Sequence, residues 1–180
     1  MDTSPSNRSA AAAAGLRIAI VGGGIAGLAL ALDLARHAHL AITLFESAPA
    51  FGEVGAGVSF GPNAIRAMER LGVADAYLQT ADATPAPWQD VWFEWRRGVD
   101  AGLLGTTLAP GVGQSSVHRA DYLDVLARRL PEGIARFNKR VVAVSQDAAS
   151  ASLRFADGTV EGFDLVLAAD GIRSSVREHV

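Results

Sequence analysis

Arg17-Ile18-Ala19-Ile20-Val21-Gly22-Gly23-Gly24-Ile25-Ala26-Gly27-Leu28 is the stretch that decides the fold. A short apolar run of buried-strand type ends in a glycine turn, and Ala26 to Arg36 then reads as an Ala/Leu helix. The run Ala41-Ile42-Thr43-Leu44-Phe45-Glu46 is a second strand, which completes a βαβ unit of about 30 residues. Right-handed crossover makes the two strands parallel. Within the turn, Gly22, Gly24 and Gly27 form GxGxxG. Gly22 permits the tight turn, Gly24 lets backbone approach a pyrophosphate, and Gly27 lets the helix lie close on the sheet. Ile25 and Ala26 open the helix, whose unpaired N–H groups and positive dipole end suit phosphate. Glu46, at the end of the second strand, is placed to take both ribose hydroxyls of an adenosine and to disfavour a 2′-phosphate. The pattern predicts a dinucleotide site and leaves NAD and FAD open. A turn that merely packed a helix on a sheet would not need an acid at the end of the next strand.

The 180 residues carry 16 Lys plus Arg against 19 Asp plus Glu, a formal charge of -3. Nucleic acid is therefore not the expected partner, because counterion-releasing contacts need a basic surface. The absence of cysteine excludes a disulfide framework, an iron–sulfur cluster, a thiolate nucleophile and a Cys-type zinc site. His37, His39, His118 and His179 lack metal-ligand spacing, so no metal is expected. Residues 1–15, rich in Ser, Asn and Ala, read as a disordered tail. Leu16 to Ala35 is apolar over about the length of a membrane span. Its glycines, with Arg17 and Asp33 near the ends, argue against a membrane segment.

Beyond the βαβ unit, Pro62 to Leu71 reads as a helix with Ile65, Met68 and Leu71 on one face and Gly72 just past its end. Asp121 to Leu130 is another, stopped by Pro131. Val91 to Arg96 is an aromatic strand, and Trp88, Trp92 and Trp95 are assigned to core or sheet face rather than to a substrate cage. Val141 to Val144, Leu153 to Phe155 and Val160 to Phe163 form a β-meander around the Asp157-Gly158 turn. It feeds Leu165 to Ala169, a fully apolar, buried strand ending in Asp170-Gly171. The chain is expected to be α/β. Gly57-Val58-Ser59-Phe60-Gly61 also fits GxSxG, which makes a serine hydrolase a formal rival. An elbow of that kind needs a strand immediately before it, and residues 52–56 do not supply one convincingly. A pure NAD-binding module is the other rival class.

Phe51 to Ala64, Val117-His118-Arg119-Ala120-Asp121 and Asp164 to Arg173 resemble the single-component FAD-dependent aromatic hydroxylases. The resemblance covers nearly everything after the tail. It implies a Rossmann-like FAD/NAD(P)-binding domain with a parallel sheet and a β-meander, plus part of an antiparallel substrate-domain sheet. Residues 16–180 would be an incomplete FAD-binding domain, with 85–115 as a partial substrate-domain insertion. FAD would be the cofactor and NADH the co-substrate, with O2 and a small aromatic acid such as salicylate, or alternatively a hydroxybenzoate. The setting would be cytoplasmic. By the same resemblance Gly22, Gly24 and Gly27 hold the FAD pyrophosphate and Glu46 the adenosine ribose. Gly55, Ala56 and Gly57 bring backbone against the flavin, Arg119 contacts FAD, and the Val141-Val142 strand presents backbone to adenine. Asp170-Gly171 matches a DG motif associated with flavin and reduced nicotinamide. Arg119 could instead simply start a helix, and Asp170 could cap the turn at 172–174. The resembled enzymes are about twice as long. The expectation is therefore a truncated, amino-terminal piece that binds FAD weakly and hydroxylates nothing, with no catalytic residue to carry over.

Overall fold

The computed structural model describes residues 15–52, 56–81, 88–113 and 116–179. The expected tail up to residue 14 and Gly55 lie outside the described residues. In chain order the elements are β1 (Leu16–Val21), α1 (Ile25–Leu34), β2 (Leu40–Phe45), β3 (Gly57–Ser59), α2 (Pro62–Leu71) and α3 (Ala74–Thr80). They continue with β4 (Val91–Arg96), β5 (Leu103–Leu108), β6 (Ser116–His118), α4 (Arg119–Arg129) and β7 (Ala135–Arg136). The last four are β8 (Val141–Gln146), β9 (Ala151–Phe155), β10 (Val160–Phe163) and β11 (Leu165–Ala168). Two compact units result: one holds the described residues up to Phe51 and from Ala127 onward, the other Gly52–Leu126.

The first unit is built on a parallel sheet of order β11-β1-β2-β7. β1 runs in register with β2 from Leu16 opposite Leu40 to Val21 opposite Phe45. The βαβ unit is thus parallel, as the glycine turn and the two apolar runs predict. β1 is central, and a central parallel strand is covered on both faces, which is why Ile18 to Val21 is apolar without alternation and buried throughout. α1 turns Gly27, Leu28 and Ala31 inward. Residues 16–35 therefore form strand, turn and helix, and among the described residues no helix is long and apolar enough to cross a membrane.

The meander forms its own antiparallel sheet, β10-β9-β8. Its Val141, Leu153, Phe155 and Phe163 share one core with Ala19, Val21 and Phe45 of the parallel sheet. The Phe45 ring lies 4.7 Å from Phe155 and 5.6 Å from Phe163. Such tilted and edge-on pairs add about 0.5–1.5 kcal/mol each beyond their buried area. β11 departs from expectation. Its composition reads as fully buried, yet among the described residues it is an edge strand whose one partner is β1, and Leu165 is 41% exposed.

In the second unit β3 pairs antiparallel with β6, and β4 with β5. α2 has the predicted bounds, with Pro62 in its first turn and Gly72 at φ 71° closing its end in the left-handed region. α4 begins two residues earlier than predicted, because the Arg119 N–H is anchored on the Ala56 carbonyl at 3.1 Å and β6 leads directly into the helix. Phe60, Tyr77 and Tyr122 meet edge-on, and the Tyr122 hydroxyl donates to Met68 Sδ at 2.9 Å. The aromatic strand β4 exists as predicted and its side chains occupy sheet faces: Phe93 and Trp95 remain exposed, with Trp95 Nε1 donating to Thr107 Oγ1 across the hairpin.

Candidate functional site

The glycine turn divides its labour by sterics. Gly22 sits at φ 105°, and a Cβ there would lie 2.4 Å from the Ala169 carbonyl oxygen. A Cβ on Gly27 would lie 1.9 Å from the Gly22 carbonyl oxygen, so this glycine sets how closely α1 approaches the turn. Gly24 is different: a Cβ there would meet nothing within 4 Å. It is the N-cap of α1, carries no side-chain cap, and is followed by no acidic residue in the first turn. The turn around Ile25 and Ala26 thus presents a helix N-terminus without a side-chain acceptor of its own, which is the arrangement that accepts phosphate.

Glu46 follows β2 immediately. Its Oε2 accepts from the Gly23 N–H at 2.7 Å, and its Oε1 accepts from the Ala48 N–H at 2.7 Å and from Ser47 Oγ at 3.1 Å. A carboxylate has about four acceptor positions. Three are used internally, so the carboxylate is oriented before any ligand arrives and keeps capacity for a further donor.

At the carboxyl ends of these strands lies a cavity of about 190 Å³. Gly22 and Ser47 line it from β1 and β2, Arg140 and Val141 from the start of β8, and Asp170 and Arg173 from the loop after β11. This is where ligands bind in open α/β sheets. Asp170 Oδ2 accepts from the Ser175 N–H at 2.7 Å and the Val176 N–H at 3.3 Å, so Asp170 does tie down the turn that follows it. Its Oδ1 is buried with no hydrogen-bond partner among the described residues. Burial alone would raise the Asp170 carboxyl, but the Ser174 hydroxyl and the Val176 and Ser175 amides outweigh it and hold the carboxyl below its ordinary 3.8. Gly171, at φ 82°, turns the chain away. Val142 is the extra residue of a β-bulge, skipped between the Val141–Phe155 and Ala143–Arg154 pairs. A bulged residue is left out of the ladder.

In the second unit Ala56, Gly57 and Arg119 are neighbours: Arg119 donates its N–H to Ala56, and Gly57 stands opposite His118 in the β3–β6 pair. Ser59 is the last residue of β3, paired with Ser116, and not at a sharp strand-to-helix turn, so the GxSxG match is no nucleophile elbow. Among the described residues no cluster of three metal-ligating side chains occurs. Sequence pattern singled out neither Ser47, Arg140 and Arg173 as cavity residues nor Ala48 as a partner of Glu46. The only hint was the basic pair Lys139-Arg140 ahead of an apolar strand.

The family described as FAD binding domain matches residues 16–180. The chain belongs to this family. It is 63% identical, over 92% of its length, to a salicylate hydroxylase of Pseudomonas putida. It is 40% identical, over 91% of its length, to a 6-methylsalicylate 1-monooxygenase of Aspergillus terreus. A solved salicylate hydroxylase substrate complex matches 91% of the chain at 52% identity with a TM-score of 0.81. The chain spans 38% to 39% of the length of these relatives. Membership decides between the nucleotides that the βαβ unit left open, in favour of FAD, and it sets aside the hydrolase and the pure NAD module. The open Gly24 position, the uncapped α1 N-terminus, the pinned Glu46 and the orphaned Asp170 Oδ1 all fit that cofactor.

Proposed function

We propose that this chain supplies the FAD site of a flavoprotein monooxygenase that uses NADH and O2 to hydroxylate a small aromatic acid of the salicylate type. The observation that carries the reading is the pairing of an open Gly24 turn with a pre-oriented Glu46, within a chain this similar to salicylate hydroxylases. Gly22, Gly24 and Gly27, with the first turn of α1 at Ile25 and Ala26, hold the pyrophosphate, and Glu46 takes the ribose. Val142, whose backbone lies outside the ladder, faces adenine. Asp170 Oδ1 accepts a cofactor hydroxyl beside Gly171. Ala56, Gly57 and Arg119 serve the flavin side, together with Gly55. Residues 85–115 belong to a substrate-domain insertion, and the protein works in the cytoplasm.

When bound, FAD supplies the redox chemistry: two electrons from NADH reduce O2, one oxygen atom enters the ring and the other leaves as water. For salicylate the attacked carbon bears the carboxylate, so salicylate, NADH, O2 and two protons give catechol, CO2, NAD+ and water. A hydroxybenzoate would use the same FAD residues, which do not touch the ring. The test is to add FAD to the purified chain, record the flavin spectrum, and follow salicylate-dependent NADH oxidation with catechol detection. A perturbed flavin spectrum is expected. An unperturbed one overturns the cofactor site, and ring hydroxylation of another aromatic acid but not of salicylate overturns the substrate.

A further inference from the structure

Asn138 is a non-glycine residue in the left-handed region, at φ 57°. It sits where two short segments are stitched together. The Glu46 N–H donates to the Arg136 carbonyl at 2.9 Å, the Asn138 N–H to the Ala48 carbonyl at 3.0 Å, and the Lys139 N–H back to the Glu46 carbonyl at 2.9 Å. The residue on one side, Phe137, packs edge-on against Phe51 at 4.8 Å. Those on the other side, Lys139, Arg140 and Val141, form one wall of the nucleotide cavity. Left-handed backbone at this one position reverses the chain between the Phe137 contact and the cavity wall. It lets both neighbouring amides reach the segment that carries Glu46. The Ala48 amide in that segment also holds Glu46 Oε1. A residue that avoids the left-handed region cannot keep both stitches. Asn tolerates this conformation better than other side-chain-bearing residues, and β-branched residues tolerate it worst.

We infer that Asn138 is a positioning residue of the adenosine half of the site: its left-handed turn sets both the Glu46 carboxylate and the Lys139–Val141 wall. This rests on the FAD site proposed above and extends it to a residue that touches no ligand. Three variants of the 180-residue chain test it: Asn138→Gly, Asn138→Ala and Asn138→Val. FAD and ADP are the probes, with dissociation constants measured by calorimetry. Amide hydrogen exchange of the ligand-free chains is the second readout. Asn138→Gly should bind both probes within twofold of the parent, since glycine adopts the turn freely. Asn138→Ala should weaken both about fivefold and Asn138→Val at least tenfold, by the same factor for FAD as for ADP. Exchange at the Gly23, Ala48 and Lys139 amides should quicken in the same order, with Ile18 to Ile20 of β1 unchanged. Parent-like exchange at those three amides in Asn138→Val would overturn the inference. So would weakened binding in Asn138→Gly, or loss of β1 protection in both Ala and Val variants, which would mark a merely structural role. A parent chain that binds neither probe would overturn the proposed cofactor site instead, and the exchange pattern would still decide the role of Asn138.

Discussion

Glu46 Oε2 accepts a hydrogen bond from the Gly23 N–H at 2.7 Å, tying the acid after β2 to the middle of the glycine turn after β1. With Ala48 donating to Oε1 at 2.7 Å, one carboxylate joins the loop after β1 to the loop after β2. Glu46→Ala should therefore act on stability as well as on binding. It strips two backbone donors of an ionised acceptor, a loss of about 2–4 kcal/mol. Urea unfolding should show that loss, and FAD titration a weakening of at least about tenfold.

Gly24 and Gly27 separate binding from folding. Gly24→Ala meets no atom within 4 Å and should leave the melting temperature within about a degree or two while weakening FAD severalfold, because the proposed phosphate site lies against this open position. Gly27→Ala brings a Cβ to 1.9 Å from the Gly22 carbonyl oxygen and should cost about 3 kcal/mol or more. Thermal melts of the two variants without FAD give the contrast. Equal destabilisation would contradict the division of roles between them.

Tyr77 buries a hydroxyl that has no hydrogen-bond partner among the described residues. Its ring packs edge-on against Phe60 at 5.3 Å and Tyr122 at 6.3 Å, contacts a phenyl ring retains. Tyr77→Phe should raise stability by about 1–2 kcal/mol, since an unsatisfied buried hydroxyl carries its full desolvation cost. Tyr122→Phe should lower it, because that hydroxyl is bonded to Met68 Sδ. Opposite shifts of the urea midpoint are the expected signature.

Asp157 sets part of the acid stability. Its carboxyl is held far below 3.8, first by the hydrogen bond from Lys139 and then by the Thr159 hydroxyl and amide. Because the folded value lies below the unfolded one, its contribution is complete above about pH 4 and fades as pH falls toward the folded value. Asp147, held down by the Ala149 and Ser150 amides, behaves in the same sense. Asp157→Asn should lower the melting temperature modestly at pH 7 and approach the parent's as pH falls below about 4, so that its acid limb is flatter. The carboxylate is solvent-exposed, so the effect should shrink in high salt. A profile parallel to the parent's would assign acid unfolding to other groups.

The legible part of the fold was the part governed by local rules. The β1–turn–α1–β2 unit, α2 with its Pro62 start and Gly72 end, and the β8–β10 meander all follow from short-range periodicity and turn chemistry. β5 was not legible: Leu103–Leu108 includes Gly105 and two threonines, and it is a strand because β4 lies beside it. β3 and β6 are three residues each and are held by pairing with each other and by the Ala81–Val117 bridge, not by any local signal. The burial of β11 was misread for the same reason, since an apolar run shows that a strand prefers cover and not whether it receives any.

The sequence by itself determined the parallel βαβ unit and singled out Gly22, Gly24, Gly27 and Glu46 as the candidate nucleotide constellation. Glycine sterics and a strand-terminal acid are properties of single positions, so spacing is enough to reveal them. Only the tertiary structure decided that Glu46 is held by Gly23 and Ala48, that Val142 is left out of its ladder by a bulge, and that Asp170 caps one turn while keeping one oxygen unpaired. It alone placed Asn138 in the left-handed turn that brings Arg140 and Val141 to the cavity. Each of these depends on which backbone amide lies within about 3 Å of which acceptor. The Gly23–Glu46 and Asn138–Ala48 bonds join residues more than twenty positions apart, beyond the reach of any local pattern.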